Sequence, residues 1–266
     1  MPLLLWIILC SALGGIASAA FAVVFLWVSE ERSARILPHF LSFATGALLG
    51  AALLALLPEA IEGAGVAGAH ALGWSLVLGL GVFFVIEKLV LWWHTHAHAE
   101  EGPAHAGHEH GHAHGRDHAS GVLVLVGDSL HNTLDGVLIA AAFLTDVSLG
   151  FVTTFAVAAH EIPHRVGDFA ILVQAGWTRQ RALVLNLATG LASVVGAVVA
   201  YFALQRALGF LPLALAFAAS GFLYIAVAGL IPGLHRRSDP RTSLTQVGLI
   251  TAGILVIAVA ERLTHS

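Results

Sequence analysis

Residues 121–144 read GVLVLVGDSLHNTLDGVLIAAAFL, and this segment points most directly to the architecture of the chain. It exceeds the roughly 20 residues that an α-helix needs to cross a hydrocarbon core about 30 Å thick. Four polar residues interrupt it, namely Asp128, His131, Asn132 and Asp135. Their spacing places all four on one stripe of a helix. Polar groups at that depth in a membrane usually face the interior of a helix bundle.

A second segment of the same kind follows at 147–176 and contains the motif HEIPHRVGD at 160–168. His160 and His164 are i,i+4 neighbours on a helix, and Glu161 stands three residues before His164. Imidazole, carboxylate and amide groups form a mixed nitrogen and oxygen ligand set that suits Zn²⁺ and other first-row divalent ions. A hydrogen-bonded core histidine explains any one of these residues alone, but it does not explain two such stripes on adjacent helices.

Glycine flanks both stripes, with Gly136 directly after Asp135 and Gly167 directly before Asp168. Because glycine has no side chain, it lets helices in a membrane approach one another closely. Both positions therefore permit close helix approach.

Composition assigns the whole chain to the membrane. Of its 266 residues, 58% are hydrophobic and 11% are charged, whereas a soluble domain carries about 25% charged residues. The net charge of −4 and the lack of a long basic run exclude a nucleic-acid-binding protein. We predict an all-α, polytopic membrane bundle of eight transmembrane helices that forms a single domain, residues 1–266. The apolar runs are 3–28, 37–58, 68–93, 121–144, 147–176, 180–204, 212–234 and 243–263.

The positions of lysine and arginine predict the orientation of the bundle. Connections on the cytoplasmic side carry an excess of these residues. With the N-terminus outside, nine of them lie in inside connections and two, Arg206 and Arg262, lie outside. We therefore predict an N-out and C-out arrangement. The first run lacks the basic region of a signal peptide, and we interpret it as a retained span.

One connection is unusual, because residues 94–118 hold nine of the sixteen histidines in a stretch rich in glycine and alanine. We predict a disordered, His-rich cytoplasmic loop. Imidazoles at this density bind Zn²⁺, Ni²⁺ or Cu²⁺ loosely, which favours metal capture, sensing or local buffering. A solvated linker of biased composition is the alternative.

HEIPH also fits the H-E-x-x-H pattern of zinc metalloproteases, in which Glu161 would act as the general base. Pro163 lies inside the motif and would deform the helix that such an enzyme uses to aim its two histidines. An intramembrane protease is therefore one candidate function, and a metal-sensing or scaffold membrane protein is another.

These motifs resemble those of the ZIP (Zrt/Irt-like) divalent metal transporters. VGDSLHNTLDG is similar to the family's fourth-span pattern, and HEIPHRVGDFAIL is similar to its fifth-span pattern. The likeness extends from about Ser42 to Gly233 and includes the His-rich loop. It implies a transporter and not an enzyme, which moves zinc, and sometimes iron, manganese or cadmium, into the cytosol. It also implies alternating access, in which the first, fourth, fifth and sixth spans slide against the others.

The resemblance further implies a binuclear metal site at mid-membrane. By motif position, one ion is held by His131, His160 and His164, and its neighbour by Asn132, Asp135 and Glu161, with bridging from His164 or Asp135. Asn186 lies where the sixth span of the family can approach this site.

Arg165 departs from the family pattern, because many relatives have glutamate after the second histidine. At i+4 from Glu161, Arg165 is placed to pair with that carboxylate and withdraw it from a metal. The three-histidine site is therefore the one we expect first.

The remaining expectations concern ligands, partners and location. Zn²⁺ is expected as the transported substrate, with Fe²⁺, Mn²⁺ or Cd²⁺ as other candidates, and no organic cofactor is expected. The expected partners are the divalent ion and the lipid bilayer, without nucleic acid and with a homodimer as one possibility. The expected location is the cell membrane, whether a plasma membrane or an inner membrane.

Overall fold

The computed structural model describes residues 2–18, 20, 30–96, 113–235 and 239–264. Within these ranges the chain consists of helices and short connections without a β-strand, which confirms the predicted all-α class. The α-helices are α1 (Leu3–Ala12), α2 (Glu30–Gly50), α3 (Leu57–Ala64), α4 (Ala69–His96), α5 (Ala113–Thr145), α6 (Val147–Gln174), α7 (Arg179–Gln205), α8 (Leu211–Tyr224), α9 (Ile231–His235) and α10 (Pro240–Thr264).

Segments of π-helix extend or join some of these helices. Leu13–Ala17 continues α1, Ala51–Leu56 joins α2 to α3, and Ile225–Leu230 joins α8 to α9. A proline follows each of the two joining segments by two residues, Pro58 in one case and Pro232 in the other. Proline has no N–H to donate and its ring crowds the carbonyl four residues earlier, so the preceding turn widens instead of ending the helix.

Several helical rods have the length and composition of membrane spans. Among the described residues, five qualify by both criteria: Arg35–Ala64, Val66–Leu89, Arg179–Gln205, Leu208–His235 and Pro240–Leu263. Helices α5 and α6 have 33 and 28 residues, but polar side chains interrupt their apolar sequence. Each predicted apolar run coincides with one rod or, for the first run, with its described part. The chain is thus a multi-pass membrane protein, while its N-out and C-out orientation stays a prediction.

Small residues set the closest helix contacts. A Cβ atom added to Gly136 on α5 would lie 1.8 Å from the Ser193 carbonyl oxygen on α7, and one added to Gly196 would lie 2.1 Å from the Thr133 carbonyl oxygen. Gly15 and Gly190 make an equivalent contact between the end of the first rod and α7. Helices α1, α5, α6 and α7 pack together, and α2 packs against α10 as α4 does against α8.

The glycine predictions have different outcomes at the two positions. Gly136 makes the close helix contact that the sequence permits, but an added Cβ at Gly167 would have no atom within 4 Å among the described residues. Close approach is therefore realised at Gly136 and not at Gly167. No atom of another helix lies against Gly167 among the described residues. A position beside the polar stripe therefore does not by itself imply close helix packing.

Gly136→Ala should destabilise the protein, whereas Gly167→Ala should be neutral or slightly stabilising. The added methyl at Gly136 meets backbone that cannot rotate away, and overpacking of this kind costs about 1–3 kcal/mol. Alanine at a roomy helical position instead reduces the entropy of the unfolded chain. Thermal unfolding in detergent checks both variants, and equal melting temperatures would contradict the assigned contact.

The predicted loop at 94–118 is too long at both ends. Helix α4 continues to His96 and α5 begins at Ala113, so residues 94–96 and 113–118 are helical rather than disordered. Alanine favours helix, and a helix that has crossed a membrane can continue into water without losing its internal hydrogen bonds. Residues 97–112 lie outside the described residues.

Candidate metal site

The two polar stripes face each other where the central turns of α5 and α6 meet. Asp135, His160 and Glu161 are buried, and the side chain of His131 is 17% exposed. These four residues form one group whose ligand atoms all lie within 4.8 Å of one another, and we call it the buried cluster. It contains two imidazoles from two helices and one carboxylate from each.

Distances within the buried cluster are short. The Nε2 atoms of His131 and His160 lie 3.3 Å apart. An Asp135 oxygen lies 3.4 Å from His160 Nε2 and 3.7 Å from His131 Nε2. Glu161 Oε1 lies 3.4 Å from His131 Nε2 and 3.9 Å from His160 Nε2.

These separations are close to those of ligands around one tetrahedral ion. Zinc binds imidazole nitrogen at about 2.0–2.1 Å and carboxylate oxygen at about 2.0–2.2 Å, which places neighbouring ligand atoms about 3.3–3.5 Å apart in a tetrahedron. The distances that involve a histidine of the cluster run from 3.3 to 3.9 Å. The buried cluster could therefore hold one such ion with small movements of its side chains.

Two further features suit the cluster to a cation. The Nδ1 atom of His160 donates to the Ala156 carbonyl oxygen at 3.0 Å, which leaves the lone pair of Nε2 directed at the cluster. Neither oxygen of the buried Asp135 carboxylate has a hydrogen-bond partner among the described residues. A buried anion without donors is costly, and a bound cation would offset that cost.

His164 lies in a neighbouring group with Asp128 and Asp168. Its Nδ1 atom is 3.0 Å from an Asp168 oxygen and 3.8 Å from an Asp128 oxygen. The side chain of His164 is 44% exposed, and its ring stacks on that of His131 at 5.5 Å. The structure thus brings His131 and His160 together but places His164 beside them, in what we call the outer group. The two histidines of HEIPH belong to different groups.

Arg165 is fully buried and joins three helices. Its Nε atom contacts Glu161 Oε2 at 2.9 Å, which confirms the i+4 pairing expected from the sequence. Its terminal nitrogens donate to Asp128 Oδ2 and to Asn132 Oδ1, both at 2.6 Å. The amide oxygen of Asn132, a predicted ligand, is therefore engaged by Arg165 and not by the buried cluster.

Helix α7 contributes further hydrogen-bond acceptors to Arg165. Asn186 accepts from Arg165 through its backbone and side-chain oxygens and donates back to the Arg165 carbonyl oxygen at 3.1 Å. Thr189 also accepts from the guanidinium. The family resemblance predicted Asn186 near the site, but Thr189 was not predicted. Thr189 lies one turn after Asn186 on the same face of α7, and this spacing could have identified it.

A bundle of membrane-spanning length with ligand groups buried between its helices defines a multi-pass membrane protein that can bind a metal ion. Comparison with known proteins makes this assignment specific. The chain belongs to the ZIP zinc transporter family, whose model matches residues 3–261.

Individual relatives agree with the family assignment. Zinc transporter ZIP13 of Pongo abelii is 35% identical over 274 residues, covering 95% of this chain and 77% of the relative. Zinc transporter ZIP13 of Homo sapiens is 33% identical, with 95% and 80% covered. Zinc transporter SLC39A7 of Rattus norvegicus is 31% identical, with 97% and 72% covered. Zinc transport by a membrane protein of this family, as the sequence predicts, is thereby supported.

Proposed function

We propose that the chain carries zinc into the cytosol and that the buried cluster is its binding site. One observation carries the assignment of the site: two imidazole nitrogens and two carboxylates converge at distances typical of ligands around one ion. Imidazole and carboxylate together bind zinc without the thiolates of permanent structural sites. Such a site can select an ion and still release it, as transport requires.

Two predicted ligands, Asn132 and His164, lie outside the buried cluster but also have proposed roles. Asn132 directly follows His131 on α5, and His164 stands one turn after His160 on α6. His164 stacks on His131 and is the more exposed of the two histidines. We propose that His164, with Asp128 and Asp168, receives the ion as it leaves the buried cluster, while Asn132 joins only if Arg165 moves.

Exposure indicates the direction in which this conformation opens. Exposure of the side chains falls from 44% at His164 to 17% at His131 and 0% at Glu161. In the predicted N-out orientation, α6 runs inward, so His164 lies on the cytoplasmic side of His160. The conformation is then open toward the cytosol, on the side that carries the His-rich loop, and release into the cytosol follows from it.

Alternating access would place a moving boundary beside the cluster. His160 packs against Phe222 on α8, with ring centroids 6.1 Å apart, so the buried cluster borders the helices that pack around α4 and α8. The glycine contacts bind α1, α5 and α7 to one another. We propose that these helices move with α6 as one unit, which would expose the cluster to the outer side.

The remaining proposals concern the secondary substrates, the location and the assembly of the transporter. We propose that Fe²⁺, Mn²⁺ and Cd²⁺ are secondary substrates, because mixed nitrogen and oxygen ligands accept several first-row ions. A plasma or inner membrane is the proposed location, and a homodimer is the proposed assembly. The metalloprotease alternative is not supported, because His160 and His164 do not converge and the family transports zinc.

Zinc uptake into proteoliposomes tests the proposed function directly. Purified full-length protein is reconstituted with an entrapped zinc-sensitive dye, and zinc is added outside. We expect saturable uptake above that of protein-free liposomes, and loss of it when Asp135 and Glu161 are both changed to alanine. Binding of zinc without uptake in a folded preparation would contradict the proposal.

A further inference from the structure

The guanidinium of Arg165 lies in a cage of oxygen atoms from α5, α6 and α7. Glu161 Oε2, Asn132 Oδ1 and Asp128 Oδ2 contact it at 2.9, 2.6 and 2.6 Å. The backbone and side-chain oxygens of Asn186 lie 3.0 and 3.1 Å away, and the Thr189 hydroxyl also contacts it. All five residues are buried, and no nitrogen ligand contributes to the cage.

The cage offers more acceptors than a guanidinium can use. Nη1 alone is within hydrogen-bond distance of four oxygens, from Asp128, Thr189 and twice from Asn186. This nitrogen carries two protons, so its acceptors exceed its donors. A surplus of oxygen atoms around one centre is typical of a hard cation site, in which six or more oxygens surround the ion.

Glu161 connects the cage with the buried cluster. Its Oε1 atom faces His131 Nε2 at 3.4 Å, and its Oε2 atom contacts Arg165 Nε at 2.9 Å. One carboxylate therefore serves two cationic positions, of which one is filled by the arginine side chain itself. An arginine buried at this depth is expensive, and the anionic oxygens of Asp128 and Glu161 offset its charge.

We propose that Arg165 is a tethered cation that fills a second, oxygen-lined site, so that this chain carries a single ion in the buried cluster. The inference rests on the proposed function, because it takes the buried cluster as the zinc site. It assigns Arg165 a specificity role: the arginine excludes hard divalent ions, such as Mn²⁺, from the cage. Removal of the guanidinium should open the cage to such an ion.

Mn²⁺ binding to the full-length protein tests this inference. Imidazoles hold Mn²⁺ more weakly than any later first-row divalent ion, so the His-rich loop contributes little background. In equilibrium dialysis with detection by electron paramagnetic resonance, we expect Arg165→Ala to bind one more Mn²⁺ per chain than the wild type. The apparent affinity of that ion should be at least about tenfold higher than any binding by the wild type.

Matched variants separate an occupied cage from a loosened structure. Arg165→Lys keeps the positive charge and should gain no Mn²⁺, while the double variant Arg165→Ala with Asp128→Asn should lose the gained ion. Equal Mn²⁺ stoichiometry in wild type and folded Arg165→Ala would overturn the inference. Gain of Mn²⁺ by a chain whose wild type fails to take up zinc would instead contradict the proposed function alone.

Arg165→Gln covers the case in which Arg165→Ala does not fold. Its neutral amide retains hydrogen bonds to the cage but brings no charge. We expect Mn²⁺ to raise the melting temperature of Arg165→Gln by more than it raises that of the wild type, which lacks the second site. A folded Arg165→Gln protein that responds to Mn²⁺ no more than the wild type would likewise overturn the inference.

Discussion

His160→Ala is expected to reduce zinc uptake into proteoliposomes by at least about 100-fold. Changes to residues that only orient a metal ligand already cost about 10–100-fold in metal affinity, so removal of a ligand should cost at least as much. His160 is buried, and its ring is held by the Ala156 carbonyl oxygen so that Nε2 faces His131. Removal of the His160 imidazole leaves the ion with one nitrogen ligand in the buried cluster, His131 Nε2.

Replacement of the nine histidines of residues 94–118 by alanine should leave much of the uptake, because none of them belongs to the buried cluster. His70→Ala is the matched control for the point variant, since His70 is exposed at the start of α4. It should transport zinc as the wild type does. If that replacement abolished uptake and His160→Ala did not, metal chemistry would belong to the His-rich loop and the proposed site would be wrong.

Helical periodicity predicted most of the architecture. As far as the structure describes them, the eight apolar runs coincide with helical segments, and the stripes on α5 and α6 meet as their spacing required. Hydropathy alone recovers neither of these two helices, because the polar side chains of the two stripes lower the apolar character of each segment. The spans that carry the chemistry were therefore found from their polar pattern rather than from their hydrophobicity.

The grouping of the ligands could not be predicted from spacing. Periodicity places His160 and His164 on one face of α6, but the rotation and tilt of α6 against α5 decide which of them meets His131. Contacts with α7 could not be predicted from spacing either, because Thr189 joins the site only through its hydrogen bond from Arg165. Residues on one helix were predicted well, and the relation between helices required the structure.

Asp135→Asn is expected to change metal affinity and metal-free stability in opposite directions. Both oxygens of the buried Asp135 carboxylate lack a hydrogen-bond partner among the described residues. The nearest groups are the two cluster imidazoles, at 3.4 and 3.7 Å. An unpaired buried charge costs several kcal/mol, and asparagine has nearly the same shape without that charge. The metal-free variant should therefore unfold at an equal or higher temperature than the metal-free wild type.

Zinc should reverse this order. A ligand at about 100 times its dissociation constant stabilises the folded state by about 2.7 kcal/mol, and the wild type should show this rise in melting temperature. Asp135→Asn removes one anionic ligand from the cluster, so the same zinc concentration should stabilise it little. Thermal unfolding with and without zinc measures both effects in one series.

Asp146→Asn provides the control for this substitution. Asp146 caps the N-terminus of α6 by accepting from the backbone N–H groups of Ser148 and Leu149, and asparagine caps helices about as well. This variant should keep both the metal-free stability and the response to zinc. A metal-free Asp135→Asn protein that is much less stable than the wild type would show that the carboxylate holds the helices together. Asp135 would then have a structural role, and its carboxylate would no longer be assigned as a ligand of the ion.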